Sequence, residues 1–237
     1  MLFDMHVHSA EGSPCASIKN EELVKAYKEK GFDGFVLTNH MSRWSMECHY
    51  KLEYPDFCKM LHDVYLEAKE HGDKIGLTVL FGQELKLDCT GGNDYLLYGV
   101  TYEQLIDYGD MMAWTPEKLK DASEKDGFLY YQAHPFREHM RVVSHELLYG
   151  VEVFNGSHDD HFIDGIANLW ADKYKLHKIA GSDCHEITHV GVAGVRFMSE
   201  IKDNNDLLTA LKEDNYYLVE KAITARLHQG ETFVNIM

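Results

Sequence analysis

His6 and His8 stand two residues apart in the alternating run Phe3-Asp4-Met5-His6-Val7-His8. In an extended strand, side chains at i and i+2 project to the same side, so both imidazoles point together while Met5 and Val7 face away. Two imidazoles aimed at one point suit a divalent metal ion. An isolated H-x-H is equally a pair of histidines satisfied at a surface or in a core. Four further segments, however, place a ligand-type residue where a predicted strand ends. These are His40 after Val36-Leu37-Thr38, Glu84 after Leu80-Phe81-Gly82, His134 after Tyr130-Tyr131, and Asp183 with His185 after Ile179-Ala180-Gly181. In parallel βα architectures all strand exits open on one face, the face that holds active sites. Five histidines and two carboxylates exceed the three protein ligands of a mononuclear catalytic zinc site, so two or three ions are implied. Mixed imidazole and carboxylate ligation suits Zn, Fe or Mn rather than a soft, thiolate-seeking ion.

The elements that must position these residues are legible from periodicity. After the opening strand and the polar segment Ser9 to Ser17, Asn20 is a candidate N-cap, and Leu23, Val24 and Tyr27 recur at helical spacing. Gly31 sits where a C′ glycine belongs. Asp33 to Thr38 reads as a strand, which makes β-α-β within forty residues. The pattern continues with a helix over 54–71 and strands over 75–81 and 95–100, then a helix over 115–126 and strands over 128–133 and 150–154. A helix over 159–175, a strand over 177–181 and a helix over 204–213 complete it. Such alternation predicts a parallel sheet covered by helices, either open or closed into a barrel. The absence of G-x-G-x-x-G after any strand disfavours dinucleotide binding. Segments 41–53, 101–114 and 135–149 are long connections where specificity elements usually sit.

Composition limits the chemistry further. Among 237 residues, 23 Lys+Arg against 39 Asp+Glu give a net charge of −16, so a long nucleic acid is a poor partner. Bound cations would nevertheless let an acidic chain receive an anionic substrate. No apolar run approaches the ~20 residues of a membrane span. The five cysteines are scattered without C-x-x-C spacing and the first residues lack a signal-like region, which together imply reduced thiols and a cytoplasmic location. With no linker-like or repeated segment, the expectation is a single domain over 1–237.

The segments Asp4-Met5-His6-Val7-His8, Thr38-Asn39-His40, Gly82-Gln83-Glu84, Ala133-His134-Pro135 and Gly181-Ser182-Asp183-Cys184-His185, leading to Gly191, occur in the order seen in the PHP (polymerase and histidinol phosphatase) family of metallophosphoesterases. The sequence resembles that family from its first strand to about residue 191. The resemblance implies an α/β fold, a distorted (β/α)7 TIM-like barrel, with a di- or trinuclear centre at its C-terminal face. It further implies that His6, His8 and Asp183 hold one ion, that Glu84 bridges to a second held by His134, and that His40 and His185 hold a third. Glu84, Asp183 and His185 are then catalytic as well as ligating.

Three departures stand out. Asn39 replaces a frequent aspartate, the region 98–102 lacks a histidine found in some trinuclear members, and the loop after His8 offers Glu11, or less favourably Cys15, where a histidine or aspartate is common.

The chemistry implied is attack on phosphorus by a hydroxide generated at neutral pH on divalent Zn, Mn or Fe, without a protein nucleophile. The substrate would be a small phosphorylated molecule, such as histidinol phosphate or a nucleotide phosphoester. Arg137, just past His134, is a candidate to grip phosphate, with a solvated loop arginine as the alternative. Asn155 is a candidate substrate contact, with turn closure before Gly156 as the alternative. Strand alternation points Cys184 away from its neighbours and marks it as a buried structural thiol. Trp44, Tyr50 and Tyr54 either wall a pocket or pack. Two other readings compete: an amidohydrolase-type barrel, which commonly carries a carbamylated lysine where this chain has Glu84, and a non-catalytic PHP scaffold.

Overall fold

The computed structural model describes residues 1–157 and 162–220. The first positions of the helix expected from 159, and the end of the expected domain beyond 220, lie outside the described residues. In chain order the elements are β1 (Leu2–Val7), α1 (Asn20–Glu29), β2 (Gly34–Leu37), β3 (His40–Met41), α2 (Tyr54–Ile75), β4 (Thr78–Lys86), β5 (Asp94–Tyr98) and α3 (Tyr102–Tyr108). They continue as α4 (Pro116–Asp126), β6 (Leu129–Gln132), β7 (Gly150–Asn155), α5 (Phe162–Tyr174), β8 (His177–Gly181), β9 (Ala193–Phe197), α6 (Asn204–Lys212) and β10 (Tyr216–Glu220).

The sheet order is β10-β9-β1-β2-β4-β5-β6-β7-β8, with the two-residue β3 paired to β4. Beyond β8 the chain returns to β1, where Cys184 N donates to His6 O at 3.1 Å and His8 N donates to Cys184 O at 3.0 Å. This bridge beside Val7 nearly closes seven strands, β1, β2, β4, β5, β6, β7 and β8, into the distorted barrel. β9 and β10 extend the sheet outside it, through an antiparallel pairing of Leu2 and Phe3 with Arg196 and Val195.

The sheet is not uniformly parallel. β5 runs antiparallel to both β4 and β6. β4 continues to Lys86 and β5 begins at Asp94, so the intervening residues are too few for the crossover of a dozen or more that a parallel pair requires. The reversal brings the first residue of β5, Asp94, opposite Lys86 at the mouth where β4 ends.

Every residue of β1 is buried, as a strand covered on both faces must be. Leu23, Val24 and Tyr27 of α1 pack with Leu2, Val7 and Phe35, and burying each contributes roughly 1.5–3 kcal/mol. Phe3, Met5, Val36, Leu80, Leu96, Tyr98, Leu129 and Tyr131 belong to a second buried cluster. α1 ends with Gly31 at φ 77°, and Phe32 N donates to Tyr27 O at 3.0 Å, the closure a left-handed glycine permits. Lys19 rather than Asn20 is the N-cap and lends no side-chain bond. Segment 41–53 contains a π-helical turn over Trp44–Tyr50, and segment 101–114 contains α3 with its Thr101/Gln104 capping box. No described helix is long and apolar enough to cross a membrane.

Gly181 is where the backbone leaving β8 passes β1. A Cβ there would lie 2.4 Å from His6 Cβ and 3.0 Å from Glu152 Oε1. Gly181→Ala is therefore expected to destabilise the fold by about 1–3 kcal/mol, as overpacking does, measured by urea unfolding. An unchanged midpoint would contradict the close approach.

Candidate metal centre

Glu84, at the end of β4, lies at the focus of four imidazoles. Its Oε2 is 2.6 Å from His40 Nδ1 and 3.3 Å from His8 Nε2, and its Oε1 is 3.1 Å from His134 Nε2 and 3.3 Å from His6 Nε2. β3 brings His40 into register beside Glu84. From the bridge after β8, Asp183 Oδ1 lies 3.4 Å from His6 Nε2, 3.3 Å from His8 Nε2 and 3.3 Å from His185 Nδ1. Three groups of candidate ligand atoms result, each within 4.8 Å of one another: His6, His8 and Asp183; His6, Glu84 and His134; His8, His40 and His185.

The surroundings fix which ring nitrogens face inward. His6 Nδ1 lies 3.0 Å from Glu152 Oε1, and an ionised carboxylate only accepts, so Nδ1 carries the proton and Nε2 presents its lone pair. Ser13 Oγ donates to Asn39 Oδ1 at 2.9 Å, which uses its hydrogen. It therefore accepts from His8 Nδ1 at 3.0 Å and from His40 N at 3.0 Å. His185 Nδ1 donates to the Asp183 carbonyl at 2.8 Å. The Nε2 atoms of His6 and His8 and Oδ1 of Asp183 are buried without a hydrogen-bond partner, converging on one another. Orphaned buried polar atoms cost about 1–3 kcal/mol each, and divalent cations among them would satisfy all three. The donor set fits the group.

A PHP-associated family model matches residues 165–216. Among solved structures, PsfC from Pseudomonas syringae superposes with TM-score 0.69 at 16% identity, covering 95% of this chain and 93% of that one. A two-domain protein from Bacteroides vulgatus, described as containing a PHP-like metal-dependent phosphoesterase, gives TM-score 0.64 at 14% identity. That alignment covers 93% of this chain, which spans 65% of the larger protein. An amidohydrolase from Chromobacterium violaceum with bound sulfate gives 0.53 at 14% identity, covering 92% of this chain and 97% of that one. No curated protein gives a significant sequence match. The chain shares the barrel fold of these structures.

The supporting residues are as buried as the candidate ligands. Asp4 Oδ1 accepts from Ser182 N at 2.9 Å and His6 N at 3.1 Å, and Oδ2 accepts from Tyr27 OH at 2.7 Å, tying β1, α1 and the turn after β8 together. Glu152 accepts from His134 N as well as from His6. Asn39 does the work of an aspartate with its amide oxygen, accepting from Ser9 N at 3.0 Å and from Ser13. Gly12 is required beneath it, because a Cβ there would lie 2.1 Å from Asn39 Nδ2. These supports carry no sequence signal beyond burial. Asp4 and Asn39 alone stand beside recognisable motif histidines.

Two expected site residues have other roles. Glu11 is not in any of the three groups; its carboxylate turns to the first turn of α1 and accepts from Asn20 N at 3.1 Å, where an anion complements the helix dipole. Asn155 is fully buried, with its amide hydrogens committed to Glu152 Oε2 at 2.9 Å and Asp183 Oδ2 at 3.3 Å and its oxygen to Ser157. It therefore has no free group for substrate and instead orients Asp183. Arg137 keeps 42% of its side chain exposed, with Nη1 3.5 Å from Asp183 Oδ2. Tyr54 is in the core and Trp44 is 59% exposed. Cys184 is buried beside Val7 and Tyr27.

Burial alone would neutralise these groups, and mutual attraction decides otherwise. Burial opposes the Glu84 and Asp183 carboxylates, yet His40 and His6 hold Glu84, and His6 holds Asp183, well below the usual range. Burial opposes the His6 imidazolium, but Asp183, Glu152 and Glu84 hold it well above its usual value; His40, His134 and His185 are likewise raised. His8 is kept neutral by burial and by the neighbouring His40 and His185. Burial also pushes Asp4 up to about 6.

The sign for metal-free protein follows. Raised imidazoles contribute stability that is complete below the unfolded value of 6.5 and is lost as pH rises past it. The destabilising effect of Asp4 is already complete near pH 6. Cys15, which burial would raise but which His185 and His40 hold down at about 6, and the Met1 amine, which burial lowers, oppose the trend with two protons against the four of the raised imidazoles. The chelated protein is thus expected to melt at lower temperature at about pH 8.5 than at about pH 6.5, and divalent metal is expected to abolish that slope by replacing the protons. A chelated protein more stable at the higher pH would contradict this electrostatic assignment.

Proposed function

We propose that this chain is a metal-dependent phosphoesterase acting on a small phosphomonoester. The observation that carries the reading is the placement of Glu84 between His6 and His134 on one oxygen and His8 and His40 on the other. A carboxylate so placed is suited to bridge cations. Bound divalent ions, two or three of Zn, Mn or Fe, supply acidified water and neutralise the charge that grows on phosphoryl oxygens.

The chain's own residues supply the rest. His6, His8, His40, His134 and His185 present nitrogen ligands, and Glu84 and Asp183 present oxygen. Asn155 and Ser157 hold Oδ2 of Asp183, leaving Oδ1 turned inward. Arg137, half-exposed at the mouth beside Asp183, is the group we assign to grip the phosphate with its planar guanidinium. No protein nucleophile is assigned, since Cys184 is buried away from the centre.

A net charge of −16 favours a small phosphorylated substrate, histidinol phosphate ahead of a nucleotide phosphoester, over a long nucleic acid. Free thiols at all five cysteines suit a cytoplasmic setting. The amidohydrolase reading has loose structural likeness behind it, but the strand end that commonly carries a carbamylated lysine in that class holds Glu84 here. A scaffold without catalysis would have no need to keep the whole ligand set.

Protein loaded with Mn, Zn or Fe is expected to release phosphate from a phosphomonoester panel. Cyclic-amide turnover without phosphate release would overturn the reading. Glu84→Ala or Asp183→Asn is expected to lower metal content and phosphate release together, by about 100-fold in affinity or rate. Full activity with unchanged stoichiometry in either variant would contradict the ligand assignment. Arg137→Ala is expected to raise KM about tenfold with metal content unchanged, the loss of one charge-assisted contact.

A further inference from the structure

The segment after β6 carries both a candidate ligand, His134, and the guanidinium assigned to the phosphate, Arg137, yet residues 135–143 form no helix or strand. Glu138, His139, Arg141 and Val142 are exposed, so packing alone does not fix their backbone. The segment is instead fastened at both ends to two consecutive residues, Asn93 and Asp94, where β5 begins. Ala133 N donates to Asp94 O at 2.9 Å. Asn93 is fully buried and clasps Arg141 twice, its Oδ1 accepting from Arg141 N at 2.7 Å and its Nδ2 donating to Arg141 O at 2.9 Å. One amide paired with both backbone groups of a single residue stands in for a neighbouring strand. From that clasp two turns lead back to the site: Met140 N donates to Arg137 O at 2.9 Å, and Arg137 N donates to His134 O at 3.3 Å. The segment also lies hard against the turn before β5, since a Cβ on Gly92 would be 2.5 Å from His139 O.

We propose that Asn93 is the positioning residue for Arg137: by clasping Arg141 it closes the loop over 133–141 and fixes where the guanidinium stands at the mouth of the centre. The inference rests on the phosphate-gripping role given to Arg137 above and deepens it, because affinity for the phosphate is then set by a buried side chain that touches neither substrate nor metal. The guanidinium needs such help. Its contact with Asp183 Oδ2 is 3.5 Å long, against 2.7 Å for Arg43 Nη2 with Asp88 and with Asp110. A long, rotamer-rich side chain held this loosely goes where its backbone puts it. A shift of about 1 Å in that backbone is enough to lose a directional contact to phosphate.

The test is binding of inorganic phosphate to the full chain loaded with Mn2+, measured by isothermal titration calorimetry alongside metal per chain. Arg137→Ala and Asn93→Ala are each expected to weaken phosphate binding, about tenfold for the first and about three- to tenfold for the second, with metal per chain unchanged. The double variant is expected to bind no more weakly than Arg137→Ala, to within about twofold, because a clasp that acts through the guanidinium has nothing left to position once that group is gone. In turnover of a phosphomonoester, Asn93→Ala is expected to raise KM and leave kcat unchanged. Gly92→Ala, which pushes on His139 O while leaving the Asn93 amide in place, is expected to give the same pattern and carries the comparison if Asn93→Ala does not fold. Unchanged phosphate binding in Asn93→Ala, losses that multiply in the double variant, or a fall in metal per chain that makes the clasp a support of His134 instead, would overturn the inference while leaving the metal-dependent reading standing. Unchanged binding in Arg137→Ala would overturn the role given to Arg137 and the inference with it. Failure of loaded wild type to bind phosphate at all would overturn the phosphoesterase reading as well.

Discussion

A buried carboxylate surrounded by imidazoles is the constraint on which the rest of the structure depends. Glu84 is fully buried, and an ionised carboxylate in such a place is tolerable only if positive charge comes with it. Protons on His6 and His40 provide that charge in metal-free protein, and divalent cations are suited to provide it otherwise. The barrel is the device that keeps this arrangement from relaxing. β1 supplies His6, the residue just past β1 is His8, β4 supplies Glu84, β3 supplies His40, and the segments after β6 and β8 supply His134, Asp183 and His185. No two of these strand ends can shift apart without exposing an unpaired charge.

Around the ligands runs a shell of hydrogen bonds that removes rotational choice. Glu152 fixes His6, Ser13 and Asn39 fix His8, and the Asp183 carbonyl fixes His185. Asp4 reaches both the backbone of the turn after β8 and the hydroxyl of Tyr27 on α1, so the same residue that closes the barrel also sets the position of His6. Glycine at 12 and 181 follows from this crowding, since the backbone must pass within van der Waals contact of the supporting side chains.

Much of this was legible in the sequence because strand and helix periods are local. The i, i+2 spacing of His6 and His8, the apolar runs before His40 and Glu84, and the Leu23, Val24, Tyr27 stripe each report their own environment. The direction of β5 was not legible in that way. Reading β4 as ending near residue 81 left room for a crossover, and only its true extent to Lys86 makes the link to Asp94 too short for one. The loop after His8 was also opaque, because the distance along the chain does not say which side chain turns inward. Glu11 is nearer along the chain to His8 than Cys15 is, yet its carboxylate serves the helix end. Asn155 was placed correctly at a strand end, but its saturation by Glu152, Asp183 and Ser157 depends on partners that only the fold assembles. β9 and β10, which lie outside the barrel, carried no ligand to draw attention to them.

In the reading proposed above, seven side chains from five strand ends share cations. Elemental analysis of protein purified without chelator, expressed as metal per chain, addresses it most directly. Two to three equivalents of Zn, Mn or Fe are expected, retained through gel filtration. A chain that is folded by circular dichroism and carries well under one equivalent, even after incubation with those metals, would contradict it.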